Sequence, residues 1–171
     1  MSKPAAYVGC DPGMKGSWCL LIPSRNKIEF LSTVYPVAEV ISHIVGIAAY
    51  ADLKCIMLED VHSLLGMSAK SNFSFGYNVG MVNTMALASR QTLDRVQPKV
   101  WQRETKVPRK TWKKGTAANI KKKALKEAVA LRGIELYPYA REFLYGPKGG
   151  LLDGRSDSLL IAHYARLIYP T

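Results

Sequence analysis

The sequence predicts an α/β fold, a mixed central sheet flanked by helices. Three observations predict it. The chain opens with short apolar runs separated by turn residues, continues into an amphipathic stretch, and then reaches an unbroken apolar run that ends in an acid.

Residues 5–10 are mostly apolar, Asp11-Pro12-Gly13 breaks the run, and residues 18–22 resume it. Two strands around a glycine-rich turn account for this pattern. Residues 27–31 alternate as a third strand should. Val37, Val40, Ile41, Ile44, Val45 and Ala48 step by three and four, the spacing of an amphipathic helix. Residues 55–58 are continuously apolar before Glu59, which suits a strand covered on both faces in a parallel sheet. A polar stretch, 62–72, leads to a helix over 73–89, where Gly76 and Gly80 are spaced to let another element pack closely. Residues 93–96 form a further strand, 105–116 a basic loop, 117–131 a helix, 146–150 a flexible loop and 153–168 a closing helix. There is no internal repeat and no linker, so residues 1–171 are expected to form a single domain.

Composition narrows the function. No apolar run reaches the ~18 residues of a membrane span, and the opening residues lack a basic segment feeding a long apolar stretch. An intracellular, cytoplasmic protein without membrane contact is expected. The three cysteines, Cys10, Cys19 and Cys55, have no zinc-pair spacing, so buried reduced thiols are expected. The formal net charge is +11, from 24 Lys+Arg against 13 Asp+Glu. Eleven of those basic residues fall between Lys99 and Lys126, where Glu104 is the one acid. Such clustering favours a polyanion, because each neutralised phosphate releases condensed counterions.

Acids stand at three separated places. Asp11 ends the first strand, beside glycines that would let a bulky ligand approach the backbone. Alone it reads as a turn former. Glu59 ends the buried strand, with Asp60 its rival, and pleating allows only one of the two to join Asp11. Asp153 and Asp157, four apart, share one helical face, though acids at a helix start also suit its dipole. The combination is what points to chemistry. Gathered carboxylates repel and need cations, and Mg²⁺ prefers oxygen ligands. Two such ions ~3.5–4 Å apart can promote phosphodiester cleavage. Basic residues would hold a backbone while acids hold metal.

These motifs resemble those of the RuvC-type Holliday junction resolvases. Gly9-Cys10-Asp11-Pro12-Gly13 is similar to their first active-site segment, and Ile56-Met57-Leu58-Glu59-Asp60-Val61-His62 to their second. Phe73-Ser74-Phe75-Gly76 with Gly80 resembles the glycine-containing helix of phage and chloroplast-type members, and residues 153–162 their closing motif. The resemblance implies an RNase H-like fold, a homodimer and paired metal-dependent cuts across a four-way DNA junction. It makes Asp11, Glu59 and Asp157 catalytic metal ligands, with Asp153 the fourth acid, for two Mg²⁺ per site replaceable by Mn²⁺. The last two acids are four apart here, where many bacterial members have three. Members often carry a lysine near the start of the helix after the basic loop, and Lys113 and Lys114 stand nearest.

A two-fold dimer would present two identical sites, with Val79, Val82, Met85 and Ala86 as the candidate interface stripe. For DNA contact the candidates are Phe73, Lys110, Trp112, Lys113, Lys114, Lys122 and Arg155. Phe73 or Trp112 could stack on bases, Arg155 could reach the scissile phosphate, and Lys122 could share a face with Lys126. Trp101 is expected in the core and Phe75 buried beside Gly76. His163 is expected to be structural or exposed, and His62, close to Glu59 in the sequence, has no assigned role. The alternatives are another RNase H-like nuclease acting on flaps or RNA–DNA hybrids, a non-catalytic junction-binding protein, and an actin-like kinase, which the short chain disfavours.

Overall fold

The computed structural model describes residues 2–13, 15–34, 36–61 and 68–171. Five strands, β1 (Ala5–Asp11), β2 (Ser17–Ile22), β3 (Lys27–Ser32), β4 (Asp52–Glu59) and β5 (Leu93–Val96), form one sheet in the order β3-β2-β1-β4-β5. The first three are an antiparallel meander, whereas β4 and β5 run parallel to β1. The expected mixed sheet is therefore present, with β4 beside β1 at its centre.

Six α-helices and two short 3₁₀ turns complete the described chain, the α-helices being α1 (Val37–Ile47), α2 (Ala69–Ala88), α3 (Pro98–Glu104), α4 (Ala118–Leu136), α5 (Arg141–Leu144) and α6 (Asp153–Ile168). Strand alternation sorts them onto two faces. Tyr7, Cys19, Leu21, Cys55 and Met57 pack with Trp101 of α3, Val129 of α4 and Leu159, Ile161 and Ala162 of α6. Ala6, Val8, Leu20, Ile56 and Leu58 pack instead with Val40 and Ile44 of α1 and Val82, Met85 and Ala86 of α2. Among the described residues no helix is long and apolar enough to cross a membrane. All three cysteines are buried and free, as expected.

Four expectations need correction. Helix α2 starts four residues before Phe73, because the Ser68 hydroxyl accepts from the Ser71 amide (3.2 Å) and satisfies a donor of the first turn. Its Val82, Met85 and Ala86 are at most 1% exposed and belong to the core under the sheet, so they cannot form a dimer stripe. Periodicity had marked an apolar face without saying what covers it. Gly76 and Gly80 meet nothing within 4 Å where a Cβ would stand, so no close packing uses them in the monomer. The loop at 146–150 is a hydrogen-bonded turn, closed by the Gly146 amide on the Gly150 carbonyl (2.8 Å) and a bridge between Tyr145 and Leu151.

Candidate active site

Asp11 closes β1 and Glu59 closes β4, and the parallel pairing points both strand ends the same way. Cys10 lies beside Leu58, so the next residues, Asp11 and Glu59, flank one another at about the ~4.8 Å interstrand spacing. Pleating decides between the rival acids. Glu59 continues the side of Cys55 and Met57, facing α6, while Asp60 continues that of Ile56 and Leu58. Glu59 is the acid on Asp11's face.

Helix α6 brings the third carboxylate. It crosses β1 at Gly9, where any Cβ would fall inside the Ser158 carbonyl and the Ala162 amide. A Cβ on Gly154 would likewise strike the Lys15 carbonyl in the β1–β2 turn. Two missing side chains thus let the start of α6 lie directly on the sheet end, with Asp157 over Asp11 and Glu59.

The electrostatics show that these three acids share one neighbourhood. Burial raises the Asp11 carboxyl, against the Gly13 amide hydrogen bond (2.9 Å) and the Lys126 ammonium, which lower it. Burial, then the Asp11 charge, pushes Glu59 up to about 7, with the Trp101 hydrogen bond opposing. Asp157 is raised well above the usual carboxylate range by burial, then by Asp11 and Glu59, with Lys126 opposing. Asp153 stands apart: its carboxylate is ion-paired with Lys126. Three hard oxygen donors whose mutual repulsion Lys126 offsets only in part fit Mg²⁺ or Mn²⁺ by chemistry. Among the described residues, however, no group of three or more His, Cys, Asp or Glu is drawn together tightly enough to be a ready-made ion cage.

Comparison with solved structures gives the architecture a counterpart. A structure of Thermus thermophilus RuvC in complex with a Holliday junction substrate matches with a TM-score of 0.54 and 14% identity, covering 98% of this chain and 96% of that one. The chain has the RuvC fold. A second structure of T. thermophilus RuvC matches with 18% identity over 96% of each chain at a TM-score of 0.49, and the likeness rests on the first. No family model and no curated protein matches the sequence. The RNase H-like α/β architecture expected from the sequence is thereby established.

Several residues that serve this end of the RuvC fold were not singled out from sequence. Trp101, expected only to fill the core, is 1% exposed and its Nε1–H donates to Glu59 Oε1 at 2.8 Å. Asn78 of α2, 8% exposed, donates from Nδ2 to the carbonyls of Pro12 (2.6 Å) and Gly13 (3.0 Å), clamping the turn behind Asp11. The Thr33 hydroxyl also donates to the Gly13 carbonyl (3.1 Å). Lys126, and neither Lys113 nor Lys114, reaches the acids. A polar residue inside an apolar helical face was the available signal for Asn78. The others depend on contacts remote in sequence.

The candidate DNA contacts separate in space. Phe73 is 76% exposed on α2, and Phe75 is half-buried. Trp112 is exposed in the basic loop, and Lys113 and Lys114 are exposed beside it. Lys110 and Lys122 line a cavity between that loop and α4. Arg155 donates to the Phe143 carbonyl (2.9 Å) and lies over the Phe30 ring. His163 is buried and bonded to the Tyr137 hydroxyl (2.7 Å), with burial lowering its pKa to about 4. His62 lies outside the described residues.

Proposed function

We propose that this chain is a single-domain, RuvC-type endonuclease that resolves four-way DNA junctions as a homodimer in a divalent-metal-dependent reaction. The observation that carries the proposal is the coupling of Asp11, Glu59 and Asp157 at one sheet end of a RuvC fold, next to a strongly basic tract. Acids alone would repel DNA, and lysines alone would only hold it. The T. thermophilus protein was seen bound to a Holliday junction, and the same class of substrate is proposed here.

In the mechanism, Asp11, Glu59 and Asp157 would hold the cations, with Asp153 the fourth acid. When bound, divalent ions would polarise the scissile phosphate and offset charge on the attacking and leaving oxygens. Trp101 fixes one oxygen of Glu59, leaving the other for a ligand. Asn78 and Thr33 keep the turn after Asp11 in place. Lys126 neutralises part of the acid cluster before cation and DNA arrive, and can then move to a phosphate. Phe73, Lys110, Trp112, Lys113, Lys114, Lys122 and Arg155 are the proposed DNA contacts.

The outward face of α2 supports a dimer. Phe73, Tyr77, Gly80, Thr84 and Leu87 are all exposed and repeat at steps of four and three, a spacing that suits helix-on-helix packing. The open glycines Gly76 and Gly80 lie along it, so a second α2 could approach closely. Phe73 would then sit near the two-fold axis, where strands cross.

The test is a panel of synthetic four-way junction, duplex, flap and RNA–DNA hybrid with Mg²⁺ or Mn²⁺. Selective paired cutting of the junction is expected, with Asp11→Asn and Glu59→Gln inactive yet still binding it in a non-hydrolysing cation. Preference for the flap or hybrid would replace the substrate assignment. Normal cutting by either variant would remove the site assignment.

A further inference from the structure

One cavity is not used by the acids. It lies between α3, the basic loop and the first half of α4, and measures about 430 Å³. Five of the ten residues that line it are Lys or Arg and none is acidic. Its walls are not merely cationic: the Trp112 ring, Pro108 and Leu125 supply apolar surface, and Gln102 supplies an amide.

We propose that this cavity holds one unpaired nucleotide of the DNA substrate, its base stacked on Trp112 and its phosphates held by Lys110 and Lys122. The proposal rests on the nuclease reading above and deepens it by naming what the basic tract receives. A duplex backbone needs only a flat or convex array of lysines. A base stacked inside a duplex cannot offer its face to a ring in the wall of a concavity, whereas an unpaired one can. At a branch point the helix stack is interrupted, so a base pair there has fewer stacking neighbours and less unstacking energy opposes its opening. The volume falls within the range of small-ligand pockets, and the Gln102 amide can both donate to and accept from a base edge.

The cavity also lies beside the acids. Lys122 lines it, and Lys126, which contacts Asp153, follows one helical turn later, about 6 Å along the axis. A strand whose phosphate reaches Lys126 is therefore within one helical turn of the cavity lining.

Intrinsic fluorescence can read this directly. Trp18 and Trp101 are 2% and 1% exposed, whereas Trp112 is 38% exposed, so solvent quenchers report on Trp112. The full chain, in EDTA, is titrated with an oligothymidylate of eight nucleotides, with an abasic oligomer of the same phosphate count, and with a hairpin duplex. The oligothymidylate is expected to quench Trp112 and shield it from acrylamide, and the abasic and duplex probes to bind without doing so. Trp112→Ala should weaken oligothymidylate binding roughly tenfold and leave abasic binding unchanged, and Trp112→Phe should retain most of the affinity. Equal affinity for the abasic probe, equal quenching by duplex, or a Trp112→Ala effect below twofold would overturn the proposal. Junction cleavage with Mg²⁺ is measured in parallel. Cleavage without stacking overturns the cavity assignment alone. Stacking without any cleavage supports the cavity and removes the nuclease reading.

Discussion

Replacing Trp101 by Phe keeps an aromatic ring in the core and deletes one donor. That donor is the Nε1–H that meets Glu59 Oε1 at 2.8 Å, on a side chain 1% exposed. A hydrogen bond to a charged group contributes ~1.5–3 kcal/mol net. At 1.36 kcal/mol per pKa unit, its loss should raise the Glu59 carboxyl by about one to two units above its present value of about 7. The sign follows from the charge: the bond stabilises the carboxylate, so without it the proton is held to higher pH. Proton and cation compete for that carboxylate. At one subsaturating Mg²⁺ concentration, the acid limb of the pH–rate profile for junction cutting should therefore move upward by about one to two pH units. Mg²⁺ needed for half-maximal thermal stabilisation should rise at pH 7 as well, a readout independent of cleavage. A folded Trp101→Phe protein with an unmoved acid limb and unchanged Mg²⁺ requirement would refute the positioning role.

Gly9→Ala forces a methyl group into the backbone of α6 at Ser158 and Ala162. Overpacking of this kind costs about 1–3 kcal/mol, and two rigid backbones place it at the upper end, so thermal denaturation should show a Tm lower by about 6–12 °C. Glu59→Gln should be more stable than the parent at pH 8 in EDTA. Because the folded pKa of about 7 lies above the 4.5 of an ordinary glutamate, burying the charge costs stability that grows as pH rises between those values. The difference should reach roughly 3 kcal/mol at most and vanish below pH 4.5, which denaturant melts at the two pH values will measure. Leu87→Glu, at a side chain 64% exposed, should halve the mass seen by light scattering while leaving far-UV circular dichroism intact; an unchanged mass would place the dimer contact elsewhere.

Much of this arrangement was legible before folding. The strand over Leu93–Val96 and the helix over Asp153–Ile168 have the bounds read from the sequence. The apolar run ending in Glu59 proved to be a central strand flanked by parallel partners. Local periodicity carries such information because side-chain direction repeats with backbone geometry. Helix α3 was missed because its seven residues, Pro98–Glu104, span barely two turns and bury chiefly Trp101. The apolar face of α2 was seen, and its destination was not. Val82 and Met85 could serve a core or a partner equally well until the sheet was in place.

Sequence by itself determined the chemistry available to this protein: where carboxylates end strands, where lysines crowd, and which stretches repeat as helix or strand. These follow from residue type and short-range spacing. Only the tertiary structure decided that Gly9 exists to admit α6, that Trp101 grips Glu59, and that Lys126 stands against the acids. Each of those facts joins residues dozens of positions apart, and the distance between them is set by packing on a shared sheet.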